Sequence, residues 1–301
     1  MYDIIIVGAG PAGLTSAIYA LRANKNVLIL EAKTYGGQIV KASCIDNYPG
    51  LPHISGVEFA TKLYEQVKEL GAEFKFEKVN NIIIDNQIKK VVTNNSSYEA
   101  KAIILAMGAK ARSLKLDSEE MFIGKGVSYC ATCDGMFFRD KDVAVVGGGD
   151  TALQDALYLS NICKSVYLIH RRDSFRGNAS DLKKLKEKSN VQFVLNSNVI
   201  KLLGNTLLEK IVLSDNLGNI SEIEVSGLFI AIGQLPESNE IISNLQLDSD
   251  GYIISQNELE TNYNGIFVAG DIRSKSLRQL TTAVSDGSLA AVSACNYIDK
   301  L

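Results

Sequence analysis

Only two histidines, His53 and His170, occur in this chain of 301 residues. Tetrahedral zinc takes four Cys, His or carboxylate ligands, and no second Cys or His pair stands at ligand spacing to complete a site with the close pair Cys130 and Cys133. Zinc is therefore a poor reading of that pair, and no metal is expected. No apolar run approaches the ~18 residues of a membrane-spanning helix. Neither sign of charge dominates: 31 Lys and Arg face 34 Asp and Glu, for a net charge of −3. That balance gives no reason to expect a nucleic acid or an anionic membrane as partner. The opening residues Tyr2–Val7 already read as a strand and leave no room for a secretory leader, so a cytoplasmic location is expected.

The composition that remains, 46% hydrophobic and 22% charged, is that of an ordinary globular protein. The length exceeds the size at which single cores usually divide, so two domains are expected. The cysteine count is odd: Cys44, Cys130, Cys133, Cys163 and Cys295. Scattered cysteines in a reducing compartment are usually buried thiols acting as small hydrophobes. That reading is taken for Cys44, Cys163 and Cys295. Cys130 and Cys133 lie together in Cys-Ala-Thr-Cys-Asp and read as a redox pair.

Strand and helix alternate from the start. Ile4–Val7 is a continuous apolar strand, followed by Gly8-Ala9-Gly10-Pro11-Ala12-Gly13, a helical stretch over Leu14–Ala23 and a second strand over Val27–Leu30. The same order recurs as Val143–Val146, Gly147-Gly148-Gly149-Asp150-Thr151-Ala152, Leu153–Ile162 and Val166–Ile169. Apolar strands separated by helices indicate a parallel sheet covered on both faces. The fold class is thus α/β with two Rossmann-like units. Eighteen residues separate Gly13 from Glu31, and eighteen separate Ala152 from His170. One glycine turn is weak evidence, but two in matching contexts are strong. Each demands a tight turn, a close approach to pyrophosphate and a helix N-terminus facing the anion.

The ends of the two second strands differ in charge. Glu31 can accept from ribose hydroxyls, as FAD or NAD requires. The second unit instead carries His170-Arg171-Arg172 with Arg176 one turn on, residues suited to the 2′-phosphate of NADPH. A solvated basic cluster is the bland alternative, but its place at the adenosine end of the fingerprint favours phosphate. Further on, Leu228–Ile232 is apolar, and Gly265–Asp271 repeats the strand-then-glycine theme with an acid at its end. Asp271 could take a ligand hydroxyl or cap the structure near Thr281. The small-residue stretch Ala283–Ala294 reads as a core helix passing close to a ligand.

Taken in order, Gly8–Gly13, Gly36-Gly37-Gln38, Asn47-Tyr48-Pro49-Gly50, Cys130–Asp134, Gly147–Ala152, His170–Arg176, Gly265–Asp271 and Arg278-Gln279 resemble the low-molecular-weight, flavin-dependent thioredoxin reductases over nearly the whole chain. The resemblance implies two three-layer ββα domains of the pyridine nucleotide-disulfide oxidoreductase type, the second inserted in the first. It implies an FAD domain over 1–113 and 243–301 and an NADPH domain with the dithiol over 114–242, with crossings near Ser113–Asp117 and Ile241–Leu247. By the same likeness Gly8, Gly10, Pro11, Ala12, Gly13, Glu31, Gly36, Gly37, Gln38, Asn47, Val79, Gly270, Asp271, Arg278 and Gln279 would hold FAD. Gly147, Gly149, Asp150, Thr151, Ala152, His170, Arg171, Arg172 and Arg176 would hold NADPH. A homodimer is implied, and Cys133 would lie nearer the flavin than Cys130. One departure is Ala106-Met107-Gly108, where the family often has Ala-Thr-Gly; a thioether there would pack without a hydroxyl contact.

The chemistry expected is hydride transfer from NADPH to FAD, reduction of the Cys130–Cys133 disulfide, and exchange with oxidised thioredoxin. Exchange needs a thiolate, and a cysteine of pKa ~8.5 is mostly protonated at neutral pH. Asp134 beside the pair is the residue expected to do acid–base work, with a plain turn residue as the competing reading. Two short crossings would suit a hinge rotation. A ferredoxin-dependent or other-partner reductase of the same fold, or a flavin-bound redox sensor, remain alternatives. The intact second nucleotide motif weighs against ferredoxin.

Overall fold

In the computed structural model, residues 1–301 are described except Ser43, Asn86, Glu237, Asn239 and Glu240. The chain divides into two compact units, Met1–Lys110 with Leu235–Leu301, and Ala111–Gln234. The passages between them therefore fall earlier than the expected 113/114 and 242/243. At the second passage the reason is packing: Ile241 and Ile242 belong to a core of the first unit.

The first unit is built on a sheet that runs, in spatial order, Glu73–Lys75, Val27–Leu30, Tyr2–Val7, Ser97–Leu105, Ile88–Thr93 and Val79–Asp85, with Ile266–Val268 paired to Ser97–Leu105. Tyr2–Val7 is parallel to both of its neighbours, with Ile4 opposite Val27 and Ala102. Val79–Asp85, Ile88–Thr93 and Ser97–Leu105 form an antiparallel meander. Successive side chains of a strand point to opposite faces. Accordingly Ile4, Ile6, Ile29 and Ile104 pack under the helices Pro11–Arg22 and Leu280–Ile298, whereas Ile5, Val7, Leu28, Leu30, Ile103 and Leu105 line a second core on the opposite face. Burial on both faces is why these strands are apolar throughout and not alternating.

The second unit repeats the plan. Its parallel sheet runs Val191–Val194, Ser165–Ile169, Asp142–Val146, Gly227–Ile230 and Val127–Ser128. Val143 and Val145 pack beneath the helix Asp150–Ser160, and Ala144 and Val146 face the other core together with residues of the antiparallel strands Ser197–Leu203 and Lys210–Asp215. Each unit is Rossmann-like, with a helix layer, a parallel sheet and an antiparallel meander.

Both fingerprint helices start earlier than the hydrophobic periodicity indicates, at Pro11 and Asp150 and not at Leu14 and Leu153. The residues of the glycine turn form the first helical turn, with Pro11 at a position where its missing N–H costs nothing. The C-terminal helix likewise begins at Leu280 and extends to Ile298. Gln279 is its N-cap, in a reciprocal capping box with Thr282, so Asp271 does not cap it.

The contact between the two helices of the first unit depends on Gly287. A Cβ there would lie 2.3 Å from the carbonyl oxygen of Ala12, and Ser16 Oγ bonds both Ala12 O and Gly287 O at 2.9 Å. Replacing Gly287 by Ala forces these helices apart, an overpacking change costing about 1–3 kcal/mol. In urea unfolding the midpoint of Gly287→Ala is expected to drop with an unchanged slope. Leu217→Ala, at a side chain 87% exposed, is expected to stay within about 0.5 kcal/mol of the parent. Equal midpoints for Gly287→Ala and the parent would refute this account of the helix contact.

Candidate functional site

The dithiol region begins on the short strand Val127–Ser128. Cys130 and Cys133 are joined in a disulfide with Cα atoms 5.3 Å apart, across the single helical turn Ala131–Asp134. Both cysteines are half-buried and Thr132 between them is exposed. The turn is closed by the N–H groups of Cys133 and Asp134, which donate to Cys130 O at 3.3 and 3.1 Å. Ser128 ties it together from below. Its hydroxyl accepts from the Cys130 N–H at 3.0 Å and donates to Asp134 Oδ2 at 2.6 Å. Burial raises the Asp134 pKa above the usual carboxylate range, and the Ser128 hydrogen bond opposes part of that rise. Asp134 thus closes a turn and also places a carboxyl group of raised pKa beside the disulfide. Ser128 was not foreseen, because a serine two residues before the pair carries no local signal.

In the first unit, Gly8 lies so close to the next parallel strand that a Cβ would be 2.4 Å from Ala106 O, and its φ is +107°. Gly10 caps the helix Pro11–Arg22 with no side-chain bond to the helix terminus, so Ala12 and Gly13 lie in a first turn that no side chain caps. Glu31 holds the loop in place: its Oε2 accepts from Ala9 N and its Oε1 from Lys33 N, each at 2.9 Å. A carboxylate has about four acceptor positions, so two remain for a ribose. Gly36 and Gly37 take positive φ and cross over the turn, with Gly36 N bonded to Ala9 O at 2.7 Å. Gln38 is exposed beside them. Asn47 Nδ2 donates to Gln279 Oε1 at 3.1 Å, which brings together two expected residues far apart in sequence. Val79 is buried in the second core, which leaves its backbone as what it can offer a ligand. Met107 is half-buried against that same core, as a thioether without a hydroxyl contact should be.

Asp271 sits in the turn Gly270–Ile272 with its Oδ1 buried and without a hydrogen-bond partner, in an ion pair with Lys275 Nζ at 3.7 Å. Burial raises its pKa, while Lys275 and Arg278 oppose the rise. Arg278 stacks on the Tyr252 ring at 3.7 Å and donates to the carbonyls of Asp271 and Arg273 at 3.2 Å. The turn is anchored by Asp286, a buried acid on the C-terminal helix. It accepts from Gly270 N at 3.1 Å, from Arg273 at 3.0 Å and from Lys275 at 2.9 Å. Asp286 was missed in a run of small residues; a charge on the inner side of an otherwise apolar helix was the signal available.

In the second unit, Gly147 repeats the close approach, with a Cβ position 2.3 Å from Ala231 O. Gly149 is the N-cap of Asp150–Ser160, again without a side-chain cap, so Asp150, Thr151 and Ala152 form an open first turn. Asp150 Oδ1 accepts from Asn178 N at 2.7 Å, and Arg176 N donates to Gly148 O at 2.8 Å. Arg171, Arg172 and Arg176 are exposed around the end of the strand Ser165–Ile169. His170 is unlike them. It is buried beneath Gly148 and stacked on Phe175 with ring centroids 5.1 Å apart, its Nε2 unpartnered. Burial is the main cause that lowers its pKa, and the three arginines lower it further.

The three remaining cysteines divide. Cys163 and Cys295 are buried and burial pushes both thiols up, Cys163 to about 11. Cys44 is only half-buried, and its Sγ lies 3.4 Å from Asp46 Oδ1, so the apolar environment expected for it is absent. No helix among the described residues is long and apolar enough to cross a membrane.

The residues present fit the groups the sequence implies. An unpartnered buried carboxylate oxygen, two uncapped helix N-termini reached by glycine turns, and a row of exposed arginines are the donors and acceptors that a flavin and a phosphorylated nucleotide need. Among known proteins, the family model described as pyridine nucleotide-disulphide oxidoreductase matches residues 2–287. Thioredoxin reductase of Treponema pallidum is 41% identical over all of this chain and 98% of its own, and that of Mycoplasma genitalium is 42% identical over 97% and 94%. The crystal structure of thioredoxin reductase from Streptococcus pyogenes superposes with a TM-score of 0.95 at 40% identity, covering 100% of this chain and 99% of that one. The chain belongs to the pyridine nucleotide-disulphide oxidoreductases, and within them to the thioredoxin reductases.

Proposed function

We propose that this chain is an NADPH-dependent thioredoxin-disulfide reductase with FAD as its bound flavin. The observation that carries the reading is the Cys130–Cys133 disulfide, set on a Rossmann-like unit with a carboxyl of raised pKa in the same turn. The first unit would hold FAD, with pyrophosphate at the Gly10–Gly13 turn, ribose at Glu31, and further contacts from Gly36, Gly37, Gln38, Asn47, the Val79 backbone, Gly270, Asp271, Arg278 and Gln279. The second would hold NADPH at Gly147 and Gly149–Ala152, with its 2′-phosphate on Arg171, Arg172 and Arg176. His170 supports that turn from beneath. When bound, the two cofactors supply hydride chemistry that no side chain of this protein can provide.

The protein's own part is thiol–disulfide exchange. In the reduced pair, one cysteine attacks as thiolate on a sulfur of the partner disulfide, forming a mixed disulfide and releasing the other partner sulfur as thiolate. The second cysteine then attacks the bonded sulfur of its neighbour. That step re-forms Cys130–Cys133 and releases the partner as a dithiol, two electrons richer. Each leaving thiolate needs a proton. Asp134 is suited to supply it because burial keeps its acid form populated to higher pH than that of an exposed aspartate. The intact glycine turn and helix of the second unit, with its arginines, favour a nucleotide donor over ferredoxin. Thioredoxin as partner and a homodimeric assembly, in the cytoplasm, belong to the same reading.

Anaerobic titration of the purified holoenzyme with NADPH and NADH, followed by oxidised thioredoxin, tests the proposal. Bleaching of the flavin with NADPH preferred, then recovery of its colour on adding thioredoxin, is expected. The Cys130→Ser, Cys133→Ser double variant should still bleach but lose thioredoxin turnover; undiminished turnover in it would sink the reading. Arg171→Ala should raise KM for NADPH about tenfold, the loss of one charge-assisted bond, and leave KM for NADH nearly unchanged.

The pH dependence of exchange follows from Asp134. If the acid form is the working form, the rate falls as pH rises through its raised pKa. The Ser128 hydrogen bond favours the carboxylate, so removing it raises the pKa further and carries the falling limb to higher pH. Ser128→Ala should show that shift in stopped-flow exchange with thioredoxin. Asp134→Asn should slow exchange by about 10²–10⁴-fold and lose the limb. An unaltered profile in Asp134→Asn would remove Asp134 from the chemistry.

A further inference from the structure

Three side chains of one loop in the first unit, none of them assigned to the flavin or the dithiol, converge at its surface. Cys44, Asp46 and His53 each present a ligand atom, and these atoms all lie within 4.8 Å of one another. The convergence is built by the backbone. Ile45 and Ile54 form an antiparallel bridge, with Ile45 N donating to Ile54 O at 2.7 Å. Both isoleucines are buried and pack with Phe59 in a small core of their own. Residues flanking an inward side chain of an extended segment point outward, which puts Cys44 and Asp46, on either side of Ile45, on one face. His53, in a turn with φ +61°, is brought to that face by its own contacts with Asp46.

A single oxygen, Asp46 Oδ1, is the meeting point. It lies 3.4 Å from Cys44 Sγ, 2.7 Å from His53 Nδ1 and 3.2 Å from the His53 backbone N–H. Zinc bonds of ~2.3 Å to sulfur and ~2.0–2.2 Å to nitrogen or oxygen place neighbouring tetrahedral ligands roughly 3.3–3.7 Å apart. The Cys44–Asp46 separation falls within that range, and the shorter His53–Asp46 pair has only to open to admit the ion. His53 is 81% exposed at its side chain and Asp46 34%, so an ion can reach the cluster from solvent without opening the core.

We propose that Cys44, Asp46 and His53 form a binding site for a divalent cation of zinc type. A thiolate, an imidazole and a carboxylate are the ligand set that borderline-soft ions take, and not the all-oxygen set of magnesium or calcium. The cation would replace the hydrogen now shared between His53 Nδ1 and Asp46 Oδ1 and bind the Cys44 sulfur after loss of its proton. Three protein ligands leave a fourth position to water. The closed Cys130–Cys133 disulfide cannot compete for the ion, and Cys163 and Cys295 are buried. Asn47 follows the cluster directly, but it is not a ligand, so the site stands whether or not the flavin assignment holds.

Titration of the oxidised holoenzyme with zinc against a chromophoric chelator tests the site. One zinc per chain is expected in the parent protein, unaffected by excess magnesium. Loss of an outer-shell partner costs metal sites about 10–100-fold in affinity, and Cys44→Ser and His53→Gln, which remove ligands, should each cost at least that. Cys163→Ser should titrate like the parent. Zinc should also protect Cys44 from iodoacetamide, read by mass spectrometry of its peptide. No zinc binding by the parent, or equal affinity in Cys44→Ser, would overturn the proposal. So would alkylation of Cys44 at the same rate with and without zinc.

Discussion

In both units the chain leaves its first parallel strand so tightly against the neighbouring strand that no side chain fits between them. At Gly8 a Cβ would meet Ala106 O at 2.4 Å, and at Gly147 it would meet Ala231 O at 2.3 Å. The approach does two things at once. It brings the following helix down onto the sheet, where Gly13 in one unit and Ala152 in the other are small enough to sit beside the turn. It also leaves the helix N-terminus open, because the residues that could cap it are glycines. A bare N-terminus above the carboxyl end of parallel strands favours an anion. The open helix N-terminus is thus a consequence of backbone packing and not of the side chains around it.

The two units differ in the charge that follows the second strand. In the first unit the carboxylate of Glu31 fixes the loop through Ala9 N and Lys33 N. In the second, the corresponding position is taken by His170, turned inward beneath Gly148, while Arg171, Arg172 and Arg176 remain in solvent. A buried imidazole packed beneath the turn and exposed guanidinium groups beside it occupy different environments although they are adjacent in sequence. The expectation that all four act alike came from reading the run as a single patch. The inward turn of His170 depends on Phe175 and on the missing side chain at Gly148, neither of which a charge pattern expresses.

What was legible in the sequence was what is local. The apolar strands, the two glycine turns and the cysteine pair each lie within a window of about twenty residues and carry their own periodicity or spacing. Helix starts were misplaced by three residues because the fingerprint residues are helical yet too small and polar to join the hydrophobic stripe. The second passage between the units differs from the expected one because only the finished core shows that Ile242 packs with the first unit. Asp286, Ser128 and the Cys44–His53 cluster were missed for a shared reason. Each acts through partners brought near by folding: Asp286 through Arg273 and Lys275, Ser128 through Asp134, and His53 through a bridge between two buried isoleucines.

Asp286 and Asp271 show how such distant partners set the chemistry of a site. Two acids and two cations share one turn, and they are not equivalent. Asp286 collects Gly270 N, Arg273 and Lys275 and is satisfied. Asp271, beside the same cations, keeps one buried oxygen without a hydrogen bond, at 3.7 Å from Lys275 Nζ. Asp286 holds Arg273, Lys275 and the Gly270 backbone with direct hydrogen bonds, while Asp271 meets Lys275 only at ion-pair distance, so the acid on the distant helix and not the one in the turn is what fixes the turn.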